Sequence, residues 1–439
     1  MSLLEPHLTD AAMPVARFSG ANENTAGANP AMAAGSRPMR QLQHGLVDGS
    51  IAPTSISTGE AVSVIREAKR SVDAAQQKIR VEHERHRFKI ARRKVSALMR
   101  SLPARLVAAS EAVSKTRRSQ GNAWTFADIW ACTERLRDLT SPSHARVTMR
   151  DKKRGGRRPI CAFSIQNKAR QHLMRVCLTP FASFHPSQFG LRRGRSVACE
   201  NLLQQLNAAR PETCVAQIDV KNFFGSISHE WLEENLPLPR GIIRAVLHTG
   251  GMSLSPSGRG RARTSDEDIQ EVARRGIPQG SAASPLVAEI VMSHLLGGLT
   301  DHLPGGVMIN YSDNTAFVFE GRPEEWHAIV ELFRRALSEH PAGPFFITAS
   351  AAQPMATGFR FLGYEWRKRG DIAEARVDPI HLADRVLNFR RDILDAPCIA
   401  PRVPLAIHRY RIRGYEGAFS LCPDTRREMA TLMAELDEG

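Results

Sequence analysis

Two apolar runs flank a short polar stretch in the sequence VMINYSDNTAFVF, which spans residues 307–319. Runs rich in Val, Ile and Phe on either side of a Ser-Asp-Asn turn are typical of a β-hairpin. Such a hairpin would carry Asp313 at its apex. An ordinary hairpin has the same pattern, so this stretch by itself assigns no function.

A second carboxylate stands at the end of a short apolar run. The sequence VAQIDVKNFFGSISH spans residues 215–229 and places Asp219 just before the pair Phe223 and Phe224, where a helix is expected to begin. Sheet enzymes commonly bind their ligands at the carboxyl ends of strands. An Asp in this position can equally cap the following helix. Both interpretations stay open for this segment taken alone.

A third segment is a turn rich in Gly and Pro. The sequence RGIPQGSAASP spans residues 275–285 and leads into an apolar helix expected over residues 286–299. Gly276, Pro278 and Gly280 bracket Gln279, and such a tight turn lets another molecule approach the backbone closely. A plain loop before a helix would look similar.

The net charge of the chain limits the kinds of partner that it is expected to bind. Lys and Arg number 60 and Asp and Glu 45, which gives a formal net charge of +15. A chain this basic usually binds polyanions, either nucleic acid or an anionic membrane surface. The longest largely apolar run, residues 285–299, contains Glu289 and His294 and is shorter than the roughly 20 residues that a membrane-spanning helix needs. We expect a cytoplasmic protein that binds nucleic acid and no membrane.

Cysteine usage argues against two further classes of protein. The seven Cys include no C-x-x-C pair, which argues against a disulfide framework or a zinc site.

The N-terminal part divides into two segments. Residues 1–58 are rich in Gly, Ala, Ser, Asn and Pro and lack apolar periodicity, which predicts a disordered leader. A basic helical extension is expected over residues 59–145, with Thr58 as a candidate cap of its first helix. Around Arg92 and Arg93, apolar residues recur at helical spacing and basic residues fill the remaining positions. That basic face is either solvated or a contact surface for nucleic-acid phosphates.

Taken together, the three segments resemble the palm of reverse transcriptases. Asp219 with the following Phe-Phe, the G-I-P-Q-G-S-A-A-S-P turn and the Y-S-D-N hairpin are similar to that family's three central palm motifs, in the same order. RRPI at residues 157–160 and QFGLRRGRS at residues 188–196 resemble flanking motifs of the fingers. GFRFLGY at residues 358–364 resembles the hairpin that closes the palm. The chain looks like the bacterial stand-alone enzymes, which include retron, abortive-infection and defence-associated types.

The resemblance implies an α+β right-hand polymerase fold, with fingers, a palm built on an antiparallel sheet and a small helical thumb. The fingers would occupy residues 146–210, the palm residues 211–375 and the thumb-like segment residues 376–439. The basic helical extension would precede them.

The chemistry that the resemblance implies is nucleotidyl transfer from dNTPs with two divalent cations, magnesium or manganese. Asp219 would bind both cations, and Val220 would contribute its backbone carbonyl as a ligand. Asp313 would complete the site from the hairpin. Magnesium fits because it binds through one or two carboxylates together with substrate phosphates and water.

The resemblance also implies residues that bind nucleotide and template. Phe224 would lie under the sugar and exclude a 2′-hydroxyl, whereas Gln279 and Gly280 would contact the incoming nucleotide and the templating pair. The triphosphate would be held by Lys153 and Arg158. Template phosphates would be held by basic residues, each of which is equally compatible with a solvated position: Arg192, Arg193, Arg195, Arg92 and Arg93.

Two positions depart from the family pattern. The family's hairpin ends in two Asp, but here the second is Asn314, so an uncharged amide stands at a catalytic position. The segment FFITASAA at residues 345–352 occupies the place where the family usually has a Lys near the triphosphate, and it contains no Lys. We expect reduced activity or a preference for manganese.

Three functions stay open. The first is an RNA-directed DNA polymerase of antiphage defence, with a non-coding RNA as template, DNA as product and a homo-oligomer or accessory defence protein as partner. The second is template-independent or protein-primed DNA synthesis at the same site. The third is a palm that has lost catalysis and serves as an RNA-binding scaffold. Asn314 and the missing Lys favour the third, whereas Asp219, Gln279 and Asp313 oppose it.

Overall fold

The fold is described from a computed structural model, which covers residues 41, 45–46, 48–119, 123–151, 157–210, 212–257, 264–321, 323–370, 372–394 and 405–438. Over these ranges the chain forms a helical N-terminal region, a small sheet with helices, a central four-stranded sheet, and a second small sheet followed by helices. The central sheet carries the predicted site residues.

The described N-terminal region contains a short 3-10 helix (Pro53–Ser55) followed by α1 (Thr58–Glu84), α2 (Phe88–Arg100), α3 (Leu102–Ser119) and α4 (Phe126–Arg135). A capping box begins α1: the Ser57 hydroxyl accepts from the Glu60 N–H, and the Glu60 carboxylate accepts from the Ser57 N–H. The cap is therefore Ser57 and not Thr58, because Ser57 has the spacing to an acidic residue that makes the box reciprocal.

The basic helix α2 has two faces. Ala91, Val95 and Leu98 are buried, whereas Arg92 and Arg93 are exposed. This arrangement leaves both guanidinium groups facing solvent.

The segment predicted as fingers contains β1 (His144–Asp151), β2 (Arg157–Phe163), α5 (Ile165–Leu178) and α6 (Gly194–Ala208). β1 and β2 pair antiparallel, and Lys153 lies outside the described residues. The N-terminal helices pack on α5: the Gln76 amide donates to the Val176 carbonyl at 2.7 Å, and the Lys168 amine donates to the Thr116 hydroxyl at 3.3 Å.

The segment predicted as palm contains β3 (Thr213–Lys221), α7 (Phe223–Ser226), α8 (His229–Asn235), α9 (Arg240–Val246), β4 (Ser253–Pro256), α10 (Asp266–Arg274), α11 (Ser284–Thr300), β5 (Gly306–Tyr311), β6 (Asn314–Glu320), α12 (Pro323–Glu339) and β7 (Phe346–Pro354). The central sheet has the order β5-β6-β3-β7 with all neighbours antiparallel. β4 instead pairs in parallel with β1 and extends the fingers sheet.

Apolar residues cover both faces of the central sheet. Along β3, Ala216 and Ile218 belong to a core shared with the N-terminal helices and α11, whereas Val215 belongs to a core shared with α6 and the C-terminal region. Successive residues of a strand point to opposite faces. Because both faces are packed, the strand ends are held rigidly.

The C-terminal part comprises β8 (Phe359–Phe361), β9 (Tyr364–Arg369), β10 (Ile372–Arg376), α13 (Pro379–Leu394), α14 (Leu405–Ala418) and α15 (Pro423–Glu438). The three strands form an antiparallel sheet. The Tyr364 hydroxyl, which accepts from the Leu421 N–H at 3.2 Å, fastens this sheet to the last helices.

The predicted α+β right-hand arrangement is confirmed: an antiparallel palm sheet lies between a fingers sheet and a helical C-terminal region, with helices at the N-terminus. Among the described helices, none is both long enough and apolar enough to cross a membrane. The six described cysteines are buried and free.

Candidate active site

The register of two central strands places the predicted hairpin beside Asp219. In the antiparallel β3–β6 pair, Asp219 lies directly opposite Asn314, so the two side chains point to the same face of the sheet. The N–H of Val220 donates to the carbonyl O of Asp313 at 3.1 Å. Asp219 and Asp313 therefore stand on neighbouring strand ends, and both side chains are half-buried.

A bulge marks the same position of β3. The pairing of β3 with β7 shifts register between Asp219 and Val220. Bulges bend a strand and change the direction of its side chains. Here the change of direction falls on the residue that carries the first carboxylate.

Asn314 contacts the second carboxylate directly. Its side-chain amide donates to Oδ1 of Asp313 at 3.2 Å. An Asp at this position would instead place a third negative charge at the site. The amide thus orients Asp313 while leaving the site with less charge to bind cations.

The Gln279 turn packs on the helix that follows Asp219. The Ile277 N–H donates to the Phe224 carbonyl at 2.9 Å. Gly276 has φ +91°, and a Cβ there would lie 2.5 Å from Cα of Gly225 and 2.6 Å from the Phe224 carbonyl O. Position 276 therefore accepts only glycine, which lets the turn approach the backbone of Phe224 and Gly225 closely.

The same turn is joined to the fingers. The Cys161 N–H in β2 donates to the Gln279 carbonyl at 2.7 Å, and a Cβ on Gly280 would lie 2.4 Å from the Cys161 carbonyl O. Arg158 is exposed on the same strand. The turn thus connects the predicted triphosphate-binding strand to the palm.

Two stacked histidines pack beside the turn. The rings of His229 and His248 stack with centroids 4.2 Å apart, and Nε2 of His229 lies 2.7 Å from the Gly276 carbonyl O. Burial, together with the neighbouring His229, lowers the pKa of His248 to about 4.

This lowered pKa predicts a loss of stability in acid. Between pH 6.5 and about 4 the unfolded chain binds a proton at His248 that the folded chain does not, so the free energy of unfolding falls as the pH falls. In His248→Asn the free energy of unfolding should fall less steeply as the pH falls over this range. The slope against pH should be smaller by about the contribution of one bound proton. Denaturant titrations at several pH values measure this, with exposed His302→Asn as the control. Equal slopes for wild type and His248→Asn would contradict it.

The basic residues of the QFGLRRGRS stretch divide into two groups. Arg192 and Arg193 are exposed, with the Arg193 guanidinium 5.1 Å from the ring centroid of Phe189. Arg195 instead turns inward: its guanidinium lies 4.1 Å from the ring centroid of Phe419 and donates to the Leu362 carbonyl. In this structure Arg195 connects α6 to the C-terminal region, so its guanidinium is committed to contacts within the protein.

Sequence reasoning missed two polar residues beside the hairpin. Asn310 is fully buried in β5, and Glu289 is 4% exposed in the otherwise apolar helix α11. A polar residue inside an apolar run is the signal that could have revealed them. The contacts of both residues are described below.

The donor set suits magnesium in number and type. Asp219 and Asp313 provide two carboxylates from adjacent strand ends, and magnesium commonly binds through one or two carboxylates with substrate phosphates and water. In the described part of the chain no group of three or more His, Cys, Asp or Glu residues is placed to hold a metal ion. Substrate phosphates would therefore have to complete the coordination.

Comparison with known proteins identifies the domain. Residues 150–366 match the family model described as "Reverse transcriptase (RNA-dependent DNA polymerase)". The chain therefore contains a reverse transcriptase domain, the nucleotidyltransferase domain of RNA-directed DNA polymerases. No curated protein matches the chain.

Solved structures with a detectable likeness include yeast telomerases. Telomerase from Candida albicans in complex with a fragment of telomeric RNA is 14% identical, with a TM-score of 0.37 over 68% of this chain and 56% of that one. Apo telomerase from Candida tropicalis is 12% identical, with a TM-score of 0.39 over 75% of this chain and 63% of that one. The chain thus spans about 56–63% of the length of these two structures.

Proposed function

We propose that this protein synthesises DNA on an RNA template from dNTPs, with Asp219 and Asp313 holding the catalytic cations. The observation that carries the proposal is that Asp219 lies opposite Asn314 while the next residue, Val220, bonds to the Asp313 backbone. The two acidic residues thus stand on adjacent strand ends, inside a region that matches the reverse transcriptase family. The Gln279 turn, fixed to Phe224 and to β2, supports the placement of a nucleotide beside them.

The cations would supply activation of the primer 3′ oxygen and stabilisation of the departing pyrophosphate. Asp219 and Asp313 would fix their positions, with the carbonyl of Val220 as a further oxygen ligand. Phosphoryl transfer needs alignment and charge neutralisation more than covalent help. The rigid ends of β3 and β6 suit that task.

Three palm residues would position the nucleotide. Phe224 is half-buried with its ring edge-to-face against Phe223, at a centroid distance of 6.2 Å. Such a fixed ring is suited to select the sugar. Gln279 and Gly280 would contact the base pair, and Lys153 and Arg158 would bind the triphosphate from the fingers.

The template would lie along exposed basic residues. Arg92, Arg93, Arg192 and Arg193 are exposed, and Lys and Arg side chains contribute sequence-independent affinity by neutralising phosphates. Binding of RNA should therefore weaken with salt.

Asn314→Asp should increase the affinity for magnesium. The substitution adds a negative charge beside Asp313, so the magnesium concentration for half-maximal DNA synthesis should fall, on the order of 10-fold. The ratio of manganese-supported to magnesium-supported activity should fall with it. Metal titrations of wild type, Asn314→Asp and the remote control Asn388→Asp test this. Identical metal curves for wild type and Asn314→Asp would refute the inferred role of the amide.

The finer assignment is to the bacterial stand-alone reverse transcriptases of antiphage defence, as a cytoplasmic enzyme with a non-coding RNA. Its support is the departure of the hairpin from two Asp to Asp313 and Asn314, which suits a divergent lineage. Phage plating on cells that carry the gene in its genomic context tests this, with Asp313→Ala as the control. Equal plaque counts with wild type and the variant would refute the defence role.

A scaffold function is the second candidate, because Asn314 reduces the charge of the site. The two functions separate when DNA made by the purified protein is sequenced. Complements of a bound RNA support the polymerase, and DNA unrelated to any RNA supports template-independent addition. RNA binding without DNA synthesis in either metal supports the scaffold.

A further inference from the structure

A buried carboxyl group lies under the catalytic hairpin. Glu289 in α11 is 4% exposed; burial raises the pKa of its carboxyl, and the neighbouring Ser312 backbone N–H works against that rise. Gln188 donates from its side-chain amide to Oε2 of Glu289 at 2.7 Å and to the Glu289 carbonyl O at 2.9 Å. Ser312 directly precedes Asp313, so the carboxyl holds the turn next to the catalytic residue.

The chain leaves room for this carboxyl at Gly190. A Cβ at position 190 would lie 2.0 Å from Oε1 of Glu289, while the next neighbouring group, the Ser312 N, is 3.6 Å away. Any side chain at position 190 would therefore displace Glu289 before it met the hairpin itself. Gly190 and Gln188 belong to one segment. Gly190 leaves space for the Glu289 carboxyl, and Gln188 donates hydrogen bonds to Glu289.

The segment that contains Gln188 is also joined to β5. The Asn310 N–H donates to the Ser187 carbonyl at 2.8 Å, and the Phe189 N–H donates to the Asn310 carbonyl at 2.9 Å. Gln188 thus forms a parallel bridge with Asn310. The hairpin is held from two sides, by α11 and by this segment.

The Asn310 side chain forms hydrogen bonds to the turn and to the start of β6. Its amide donates to the Ser312 carbonyl at 3.2 Å, the Asn314 carbonyl at 3.3 Å and the Thr315 hydroxyl at 2.9 Å. Ser312 itself has φ +59°, a left-handed conformation that a non-glycine residue adopts only at a cost in free energy. A turn in that conformation requires support from its surroundings.

We propose that Glu289, oriented by Gln188, is a positioning residue of the active site: it holds the Ser312–Asp313 turn so that the Asp313 carboxylate faces Asp219 and the catalytic cations. This inference rests on the proposed function. Residues behind metal ligands orient them, and their loss typically lowers metal affinity or activity 10–100-fold.

The test uses the full-length protein and two variants at Glu289. Glu289→Ala removes the carboxyl that lies beside the Ser312 N–H and binds Gln188. The manganese concentration that half-saturates the free protein, measured by electron paramagnetic resonance, should then rise about 10-fold or more. The magnesium concentration for half-maximal DNA synthesis should rise likewise, and kcat should fall more than the KM for dNTP rises. Glu289→Gln keeps an acceptor oxygen and should stay within about 3-fold of wild type in manganese binding.

Two controls separate positioning from loss of folding. Val291→Ala truncates another buried residue of α11, two positions along and about 200° around the helix. It should lower the melting temperature without changing the half-saturating manganese concentration. A mutant cycle gives the second control: Gly190→Ala should weaken manganese binding in wild type and have little further effect in Glu289→Ala.

The outcomes are distinguishable. Unchanged manganese half-saturation in Glu289→Ala, with only a smaller folded fraction, would overturn the positioning role. Wild type that binds manganese but makes no DNA would refute the proposed function, while the manganese comparison would still decide the role of Glu289. Wild type that neither binds manganese nor makes DNA would overturn both.

Discussion

Asp219→Asn should lower the rate of DNA synthesis by about 10³-fold or more. The substitution keeps the shape of the side chain and removes the charge that would neutralise the catalytic cations, an effect worth several kcal/mol in the transition state. Asp219 lies opposite the uncharged Asn314, so the residue paired with it cannot replace its charge. Single-turnover extension of a DNA primer on an RNA template measures the loss.

The fold should tolerate this change. Asp219 is half-buried at a strand end, and removing one of two adjacent negative charges should leave the melting temperature unchanged or raise it slightly. Asp301→Asn, at the exposed end of α11, is the control for loss of a carboxylate. Wild-type rates in Asp219→Asn would show that this carboxylate is not part of the site.

Phe224→Ala should admit ribonucleotides. If the ring lies under the sugar, its removal opens space for a 2′-hydroxyl, and discrimination between dNTP and rNTP should fall, on the order of 100-fold. The Phe224 carbonyl, which accepts from the Ile277 N–H, stays in place, so dNTP use should change much less. Single-nucleotide incorporation with matched dNTP and rNTP measures the ratio.

The control for this prediction is Phe88→Ala, which truncates a half-exposed phenylalanine of α2. Its sugar discrimination should equal that of wild type. Equal discrimination in Phe224→Ala and wild type would place the sugar elsewhere and remove Phe224 from the site.

The sequence predicted those parts of the site that local patterns encode. The hairpin with Asp313 at its apex, the strand that ends at Asp219 and the turn around Gln279 all follow from short runs of residue types. Each of the three elements is present in the structure. The first helix cap was predicted at Thr58 and lies at Ser57, although the acidic residue three positions after Ser57 was a signal for it in the sequence.

What the sequence could not predict are contacts between distant segments. Arg195 lies in a basic stretch with Arg192 and Arg193. Only the folded chain shows that its guanidinium packs on the ring of Phe419. In the sequence Glu289 only interrupts an apolar run, and its hydrogen bond from the Gln188 side-chain amide is visible only in the folded chain. Side chains in such pairs are set by tertiary packing, which local propensity does not contain.

The measurement that tests the central claim most directly is primer extension on a defined RNA template. Wild type and Asp313→Asn are incubated with the primer–template, dNTPs, and magnesium or manganese, and the products are sequenced. We predict DNA complementary to the RNA with wild type and none with Asp313→Asn. Products that do not complement the template, or no DNA in either metal although RNA binds, would contradict the account.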